Sequence, residues 1–333
     1  MASEEKDKLI LKAASEYEQN RHLYEKLINE VKYVLNERLR TANIRVDQIL
    51  GRAKTVESFK EKAERKAYTN PLQDTTDLAG VRVVCYYESD MSMLGDIIQE
   101  EFDVQGSKDK TEDLGVDKMG YNGSTYLIVL GPLYSGARYD NITQLKCEIQ
   151  LRTVLQDAWA LISHHLVYKN ESSVPGRIKR DLNNVASLLE IAQGVFDSIR
   201  EKRDYYLSEI HNKESDKSAF LELPIDYDTL KAYTEWKFPN LGVSDRFHSR
   251  LLADIDTNNY RNLKEIDQVI EQAKPAVDAY KKEDPRWFRN GTAYITKSLG
   301  FVDTEFRNRH PFGQPTRDAF KKFENLIKQR EES

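Results

Sequence analysis

The segment QLKCEIQLR (144–152) sets the tightest limit on how this chain folds. Along an extended strand, Cys147, Ile149 and Leu151 fall on one face and Glu148, Gln150 and Arg152 on the other. Such a strand takes an apolar layer on one side only, leaving an acid, an amide and a guanidinium side by side on the other. The residues that follow, TVLQDAWALISHHLVYK (153–169), change to a helical period. The polar row therefore lies where a strand turns into a helix.

Around that segment the pattern predicts further elements. Residues 4–40 carry apolar side chains at helical spacing (Leu9, Leu11, Ala14, Tyr17, Leu23, Leu27, Val31, Val34, Leu35), which predicts one or two amphipathic helices. IRVDQIL (44–50) reads as a short strand ended by Gly51 and Arg52. A helix over 55–68 follows, with Thr55 as its cap. NPLQDTTD reads as a loop, 78–89 as a strand rich in β-branched and aromatic residues, 90–102 as a helix, and 124–133 as another strand. Residues 103–123 hold Gly106, Gly115, Gly120 and Gly123 among many charges, and are expected to form a long loop. The stretch 175–213 begins with a proline suited to a first helical turn. It carries an apolar stripe of Ile178, Leu182, Val185, Leu189, Phe196 and Ile199.

Strands interspersed with helices predict an α+β class for residues 1–215: a small mixed β-sheet flanked by helices. The polar run HNKESDKS (211–218) reads as a linker, and 219–333 as a mainly helical second domain rich in aromatics such as Trp236, Phe238, Trp287 and Phe288. Pro275 is expected to break or kink a helix there.

Composition narrows the function classes. With 32% charged residues, 39% hydrophobic ones and a mean hydropathy of −0.68, the 333-residue chain reads as soluble and helix-rich. No run approaches the roughly 18 apolar residues of a membrane span, and the N-terminus shows no apolar signal core. Cys85 and Cys147 form no CxxC pair, which argues against a disulfide scaffold or a zinc site and fits a reducing cytoplasm. They read as small core residues. A net charge of −5 gives no bulk attraction to nucleic acid, leaving local basic patches at 52–66 and 176–181.

Three groupings point to chemistry. Asp77 precedes one strand and Glu148 lies within another; if those strands are neighbours, both carboxylates can converge on one Mg²⁺, which takes one or two carboxylates plus substrate phosphates. The alternative is that Asp77 caps a turn and Glu148 pairs with Arg152. Arg52, Lys54 and Lys62 form an array able to clamp a triphosphate, Arg by planar bidentate contacts and Lys as a point charge. Lys60 and Lys66 read as solvated and balanced by neighbouring glutamates. In DKMGYNGSTY (117–126), Tyr121 between glycines offers a flat face for stacking a base, and Lys118 offers charge.

Taken in order, GRAK, DLAGVRVVCYY, KMGYNGSTY, EIQLRTVLQDAWA and HHLVYK resemble the synthetase domain of the RelA/SpoT family, over roughly residues 20–200 and closest to the small stand-alone alarmone synthetases. The resemblance implies a nucleotidyltransferase-like synthetase domain that moves pyrophosphate from ATP to the 3′-hydroxyl of GDP or GTP and releases AMP. It implies Mg²⁺ at Asp77 and Glu148, with Glu148 also able to take the hydroxyl proton. It further implies ATP phosphates at Arg52, Lys54 and Lys62, adenine beside Arg82, and guanine stacked on Tyr121 with Lys118 nearby. An acceptor pocket lined by Gln150 and Arg152 would be closed by a helix carrying His164 and Lys169. No His-Asp dipeptide occurs, so the hydrolase domain of the long family members is expected to be absent.

The spelling departs from the family after Tyr121, where Thr125 stands in the place of an expected histidine and Ser124 comes one position late. Those changes open an alternative acceptor, a tRNA 3′ end or an adenosine nucleotide, as in toxin-type relatives. A degenerate nucleotide sensor is a third reading. His22, His211, His248 and His310 read as surface or structural, with His165 packing or solvated beside His164. DPRWFRNGTAYI (284–295) reads as the edge of a helical core or as an interface anchor, and the C-terminal part as a regulatory or oligomerising region.

Overall fold

The computed structural model describes residues 2–109, 123–166 and 175–327. The chain divides into two units, Met1–Arg200 and Glu201–Ser333, and the boundary falls inside a helix.

In the first unit a long helix, α1 (Ala2–Thr41), leads into β1 (Val46–Ala53), α2 (Val56–Lys66), the short α3 (Pro71–Asp74) and β2 (Ala79–Cys85). Then come α4 (Asp90–Glu101), β3 (Phe102–Asp109), β4 (Ser124–Leu130), β5 (Cys147–Thr153), α5 (Val154–Leu166) and α6 (Gly176–Lys213). The five strands form one mixed sheet in the order β1-β2-β5-β4-β3. Only β2 and β5 run parallel; the other pairs are antiparallel.

The period of two sorts the sheet into two faces. Ala79, Val81, Val83 and Cys85 of β2 lie in register with Cys147, Ile149, Leu151 and Thr153 of β5, and all eight are buried. Against that face packs α1, whose Tyr17, Tyr24, Leu27, Ile28, Val31 and Leu35 recur every three or four residues. Both cysteines are fully buried, and burial pushes the Cys85 thiol up to about 12. They are core residues, as their alternation implied.

Several local expectations are corrected. β1 does not end at Gly51 but runs through it to Ala53. Gly51 is a strand residue because α1 crosses here: a Cβ would drive into the Ile28 side chain. The loop read over 103–123 begins as β3 in its first seven residues, with a register shift between Val104 and Gly106, and residues 110–122 lie outside the described part. NPLQDTTD contains a helical turn that starts at Pro71. The stripe on α6 stays exposed at Ile178, Val185, Phe196 and Ile199. Within the first unit that helix is held by polar contacts: Asp197 accepts from Glu88 N, Ser89 N and Ser89 Oγ, and Arg200 donates to Asp90 at 2.6 Å.

The second unit is mainly helical, with an isolated β-bridge between Pro224 and Asn262. It comprises the end of α6, α7 (Lys217–Leu221), α8 (Tyr227–Lys237), α9 (Asp245–Thr257), α10 (Leu263–Glu283), a 3₁₀ turn (Pro285–Trp287), α11 (Gly291–Val302), α12 (Thr304–Arg309) and α13 (Gln314–Phe323). Residues 211–218, read as a linker, instead close α6 and open α7, whose N-terminus is capped by Asp216. Asp226, Asn262, Asn290 and Asp303 cap the helices that follow them with their side-chain oxygens. α10 passes through Pro275 without a break. Its first half is buried in one apolar cluster through Ile266 and Ile270 and its second in another through Ala273, Ala276 and Val277, which outweighs the single backbone donor lost. In 284–295 the core-edge reading holds for Phe288, Tyr294 and Ile295, all buried, while Trp287 is exposed. No described helix is long and apolar enough to cross a membrane.

Gly51→Ala is expected to cost about 1–3 kcal/mol in urea unfolding, the usual range for overpacking. Combined with Ile28→Ala, which removes the opposing methyl group, the two costs should sum to less than additivity; strict additivity would remove the steric account.

Candidate active site

The polar face of the sheet carries the candidate residues. Register places Arg52, Gly80 and Glu148 in one row across β1, β2 and β5, and Leu50, Arg82 and Gln150 in the next, continued by Thr125 on β4. Gly80 has no side chain between Arg52 and Glu148, and the row opens there into a cleft of about 370 Å³. Arg52, Lys54, Asp77, Arg82, Glu148 and Gln150 line it.

Lys54 stands one residue beyond β1, with its main chain fixed from two sides. Its N–H donates to Leu78 O at 2.9 Å, and its carbonyl accepts from Tyr17 Oη of α1 at 2.7 Å. Its Nζ donates to Asp77 Oδ2 at 2.7 Å. Thr55 caps α2 as its sequence position predicted, accepting from Ser58 N at 3.2 Å. From the second turn of that helix Lys62 returns to Asp77, Nζ 2.9 Å from Oδ1. Asp77 itself sits on the turn into β2. Burial alone raises its carboxyl, but the Lys54 hydrogen bond and the charges of Lys54 and Lys62 outweigh that and hold it below the usual carboxylate range.

Gln150 Nε2 donates to Glu148 Oε1 at 2.7 Å, which fixes the amide beside a carboxylate that lines the cleft. Arg152 does not pair with Glu148, as one reading of the sequence allowed. It reaches Asp157 Oδ1 at 3.2 Å, and Arg82 reaches the same oxygen at 2.9 Å. Desolvation, the neighbouring Arg82 charge among other causes, draws the Arg152 guanidinium down from its ordinary value. The Arg82 Nε–H is buried with no partner among the described residues.

Asp157 was not singled out from the sequence. It is buried, and its position follows from the way β5 hands over to α5. Thr153 N donates to Gln156 Oε1 at 2.9 Å and Gln156 N to Thr153 Oγ1 at 3.2 Å, the reciprocal pair of a capping box. That start places the next residue back over the polar face. The T-x-x-Q spelling in RTVLQD was the available signal.

His164 is exposed in the last turn of α5, away from any described partner. Lys118, Tyr121 and Lys169 lie outside the described residues. Among those described, no three metal-ligating side chains cluster. Asp77 and Glu148 nevertheless line one cleft, and two hard carboxylates are the set Mg²⁺ takes when phosphates supply its remaining ligands, so the residues fit that ion.

Comparison with known proteins bears on these same residues. Residues 51–173 match the family model described as a region found in RelA/SpoT proteins. This chain carries a RelA/SpoT region. Every candidate named above, from Arg52 to Lys169, falls inside it. Two relatives from Bacillus subtilis (strain 168) are each 29% identical: the GTP pyrophosphokinase YjbM over 144 residues and the GTP pyrophosphokinase YwaC over 147. The matches span 42% and 43% of this chain, and 65% and 68% of the relatives' own lengths. Among solved structures, a GTP pyrophosphokinase family protein from Streptococcus pneumoniae is similar at 25% identity with a TM-score of 0.49, covering 57% of this chain and 96% of that one. The small alarmone synthetase 1 of Bacillus subtilis gives 22% identity and a TM-score of 0.49, covering 57% and 98%. The RelA/SpoT region ends before α6, so all of that helix and the whole second unit lie outside it.

Asp157→Ala leaves Arg82 and Arg152 without a counter-charge. Both arginines keep some access to water, so the loss in chemical denaturation is expected at about 2–3 kcal/mol, below the range for a fully buried pair. Asp157→Ala combined with Arg152→Met should recover part of it. No recovery would mean that the acid acts through something other than these two guanidinium groups.

Proposed function

We propose that the chain is an ATP:guanosine-nucleotide 3′-pyrophosphotransferase that makes ppGpp or pppGpp from GDP or GTP and releases AMP. The observation that carries this reading is the cleft itself. One glycine-floored opening gathers Arg52, Lys54, Arg82, Asp77 and Glu148, within the RelA/SpoT region.

In the reaction the acceptor 3′-oxygen attacks the β-phosphorus of ATP, forming one P–O bond as the bond to the α,β-bridging oxygen breaks. AMP leaves with that oxygen and its electron pair. Glu148 is the proposed acceptor of the 3′-hydroxyl proton, oriented by the Gln150 amide on its other oxygen. Arg52, Lys54 and Lys62 bind the phosphates, Lys54 and Lys62 exchanging their contacts with Asp77 for phosphate oxygens. Arg82 has an unused Nε–H to offer toward the nucleotide. Asp77, freed from its lysines, and Glu148 would hold Mg²⁺, which supplies neutralisation of the charge on the transferred group and the leaving phosphate. Gln150 and Arg152 are assigned to the acceptor side, with Lys118, Tyr121, His164 and Lys169. Positioned cations supply most of the acceleration in phosphoryl transfer of this kind.

Thr125 lies in register with Gln150, so a departure from the family spelling falls beside the acceptor side of the cleft. That keeps a tRNA 3′ end or an adenosine nucleotide as the second acceptor reading. Incubation with Mg²⁺ and ATP labelled on its terminal phosphates decides between them, with GDP, GTP, ADP, ATP alone and deacylated tRNA as separate acceptors. Label on GDP or GTP with AMP released is the expected result. Label on tRNA or an adenosine nucleotide would select the second reading, and transfer to none would favour a sensor. Glu148→Gln is expected to keep ATP binding and lower turnover at least about 100-fold, as loss of a general base does; near-normal turnover would remove its assigned role. Gly80→Ala should fold, since a Cβ there meets only an ordinary contact of 3.8 Å, but should weaken ATP binding by narrowing the floor of the cleft.

A further inference from the structure

The second unit contains a cavity of about 390 Å³ where α9, the 3₁₀ turn, α11 and the segment before α13 meet. Its wall joins the aromatic surfaces of Phe247, Trp287 and Phe312 to the cationic groups of Arg250, Arg289 and Lys297. Arg286 and His310 also line it, but each has an acid of its own. Arg286 donates from Nε and Nη2 to Asp284 at 2.8 Å, and His310 Nδ1 lies 2.6 Å from Asp254 Oδ2. Among the described residues no carboxylate lines the cavity.

Lys297 is the anomaly. It is only 8% exposed, projecting from the middle of α11, yet it makes no hydrogen bond and no ion pair with any described residue. Its nearest compensation is the face of the Phe288 ring, 5.1 Å from Nζ. Burial pushes the ammonium down to about 8, so it still carries charge at neutral pH. Arg250 and Arg289 likewise have no acidic partner among the described residues. The Lys297 residue is nearly buried while its Nζ keeps some access to solvent, and a largely desolvated ammonium without a counter-ion marks a place where an anion can be supplied from outside. The cavity's size suits a small organic ligand, and Trp287 and Phe247 stand exposed at its lining, where an aromatic ring can lie flat.

We propose that this cavity binds a nucleoside phosphate, its phosphate meeting Lys297, Arg250 and Arg289 and its base lying against Trp287 and Phe247. The site belongs to the second unit alone and stands or falls independently of the function proposed for the cleft.

The chain has three tryptophans, and replacing Trp159 and Trp236 by Phe leaves Trp287 as the sole fluorescent reporter. Titration of that full-length variant with GTP and ATP is expected to give saturable quenching, with inorganic phosphate and guanosine far weaker. Arg289→Ala, an exposed substitution, should weaken the response about tenfold without lowering Tm. Lys297→Met should abolish the response and raise Tm in the absence of nucleotide, because it removes an uncompensated charge while keeping the volume. Three results would overturn the proposal: no quenching, quenching by inorganic phosphate as strong as by nucleotide, or quenching that survives Arg289→Ala and Lys297→Met. A lower Tm for Lys297→Met would also count against it, since the ammonium would then have a structural partner.

Discussion

Glu148 stands opposite Gly80, and Gln150 opposite Arg82, because β2 and β5 pair in parallel with Ala79 against Cys147. That register buries Val81, Val83, Ile149 and Leu151 together under α1. Shifting either strand by one residue would turn its apolar set outward and its charged set into the core. The hydrophobic effect thus fixes the polar row as strictly as it fixes the core, at about 1.5–3 kcal/mol for each large aliphatic side chain involved. The cleft's geometry follows from burial on the opposite side of the sheet, and its own charges need not supply the energy that positions them.

Those charges are arranged by one repeated device, an acid shared by two cations. Asp77 lies between Lys54 and Lys62, and Asp157 between Arg82 and Arg152. The two clasps differ in what they can release. Asp157 is buried at the start of a helix, so both of its arginines are held in place by one fixed carboxylate. Asp77 is more open and its partners end in flexible stems, which can move to a phosphate without disturbing the backbone. A surplus of cations over acids remains in both clasps, and a polyphosphate entering the cleft meets positive charge already oriented and partly desolvated.

Much of this was legible in the sequence where periodicity spoke. The alternation of 144–152, the helical stripe of α1 from Ala14 onward, the Thr55 cap and the inward cysteines correspond to the structure, because each depends on residues close in the chain, whereas Leu9 and Leu11 of the expected stripe are exposed. The reading failed where a residue's state is set by something distant. Gly51 looked like a stop and is a strand residue excused from a side chain by Ile28, about twenty positions earlier in the chain. Pro275 looked like a break and is carried by a core on both sides of it. Asp157 went unnoticed because its partners lie on two different strands, one of them 75 residues away. The apolar stripe of α6 was read correctly as a stripe, yet it does not face the core of the first unit.

The same comparison explains why one charge in the second unit stands out. Several buried ionisable groups elsewhere in this fold have partners, although Arg82 Nε and His248 Nδ1 have none among the described residues. Asp267 accepts from Tyr233 at 2.7 Å and Lys237 at 2.6 Å, Asp157 takes two guanidinium groups, and His248 reaches the Tyr227 carbonyl at 3.1 Å. An acid within reach of Lys297 would have been a small change, since Asp254 and Asp284 already lie against its neighbours in the wall. Both are instead turned to His310 and Arg286, which leaves the most buried cation of the cavity without an acid of its own. A core that required only packing at this position would take Met or Leu, which bury at no electrostatic cost. In the proposed site a bound phosphate would supply the negative charge that Lys297 lacks.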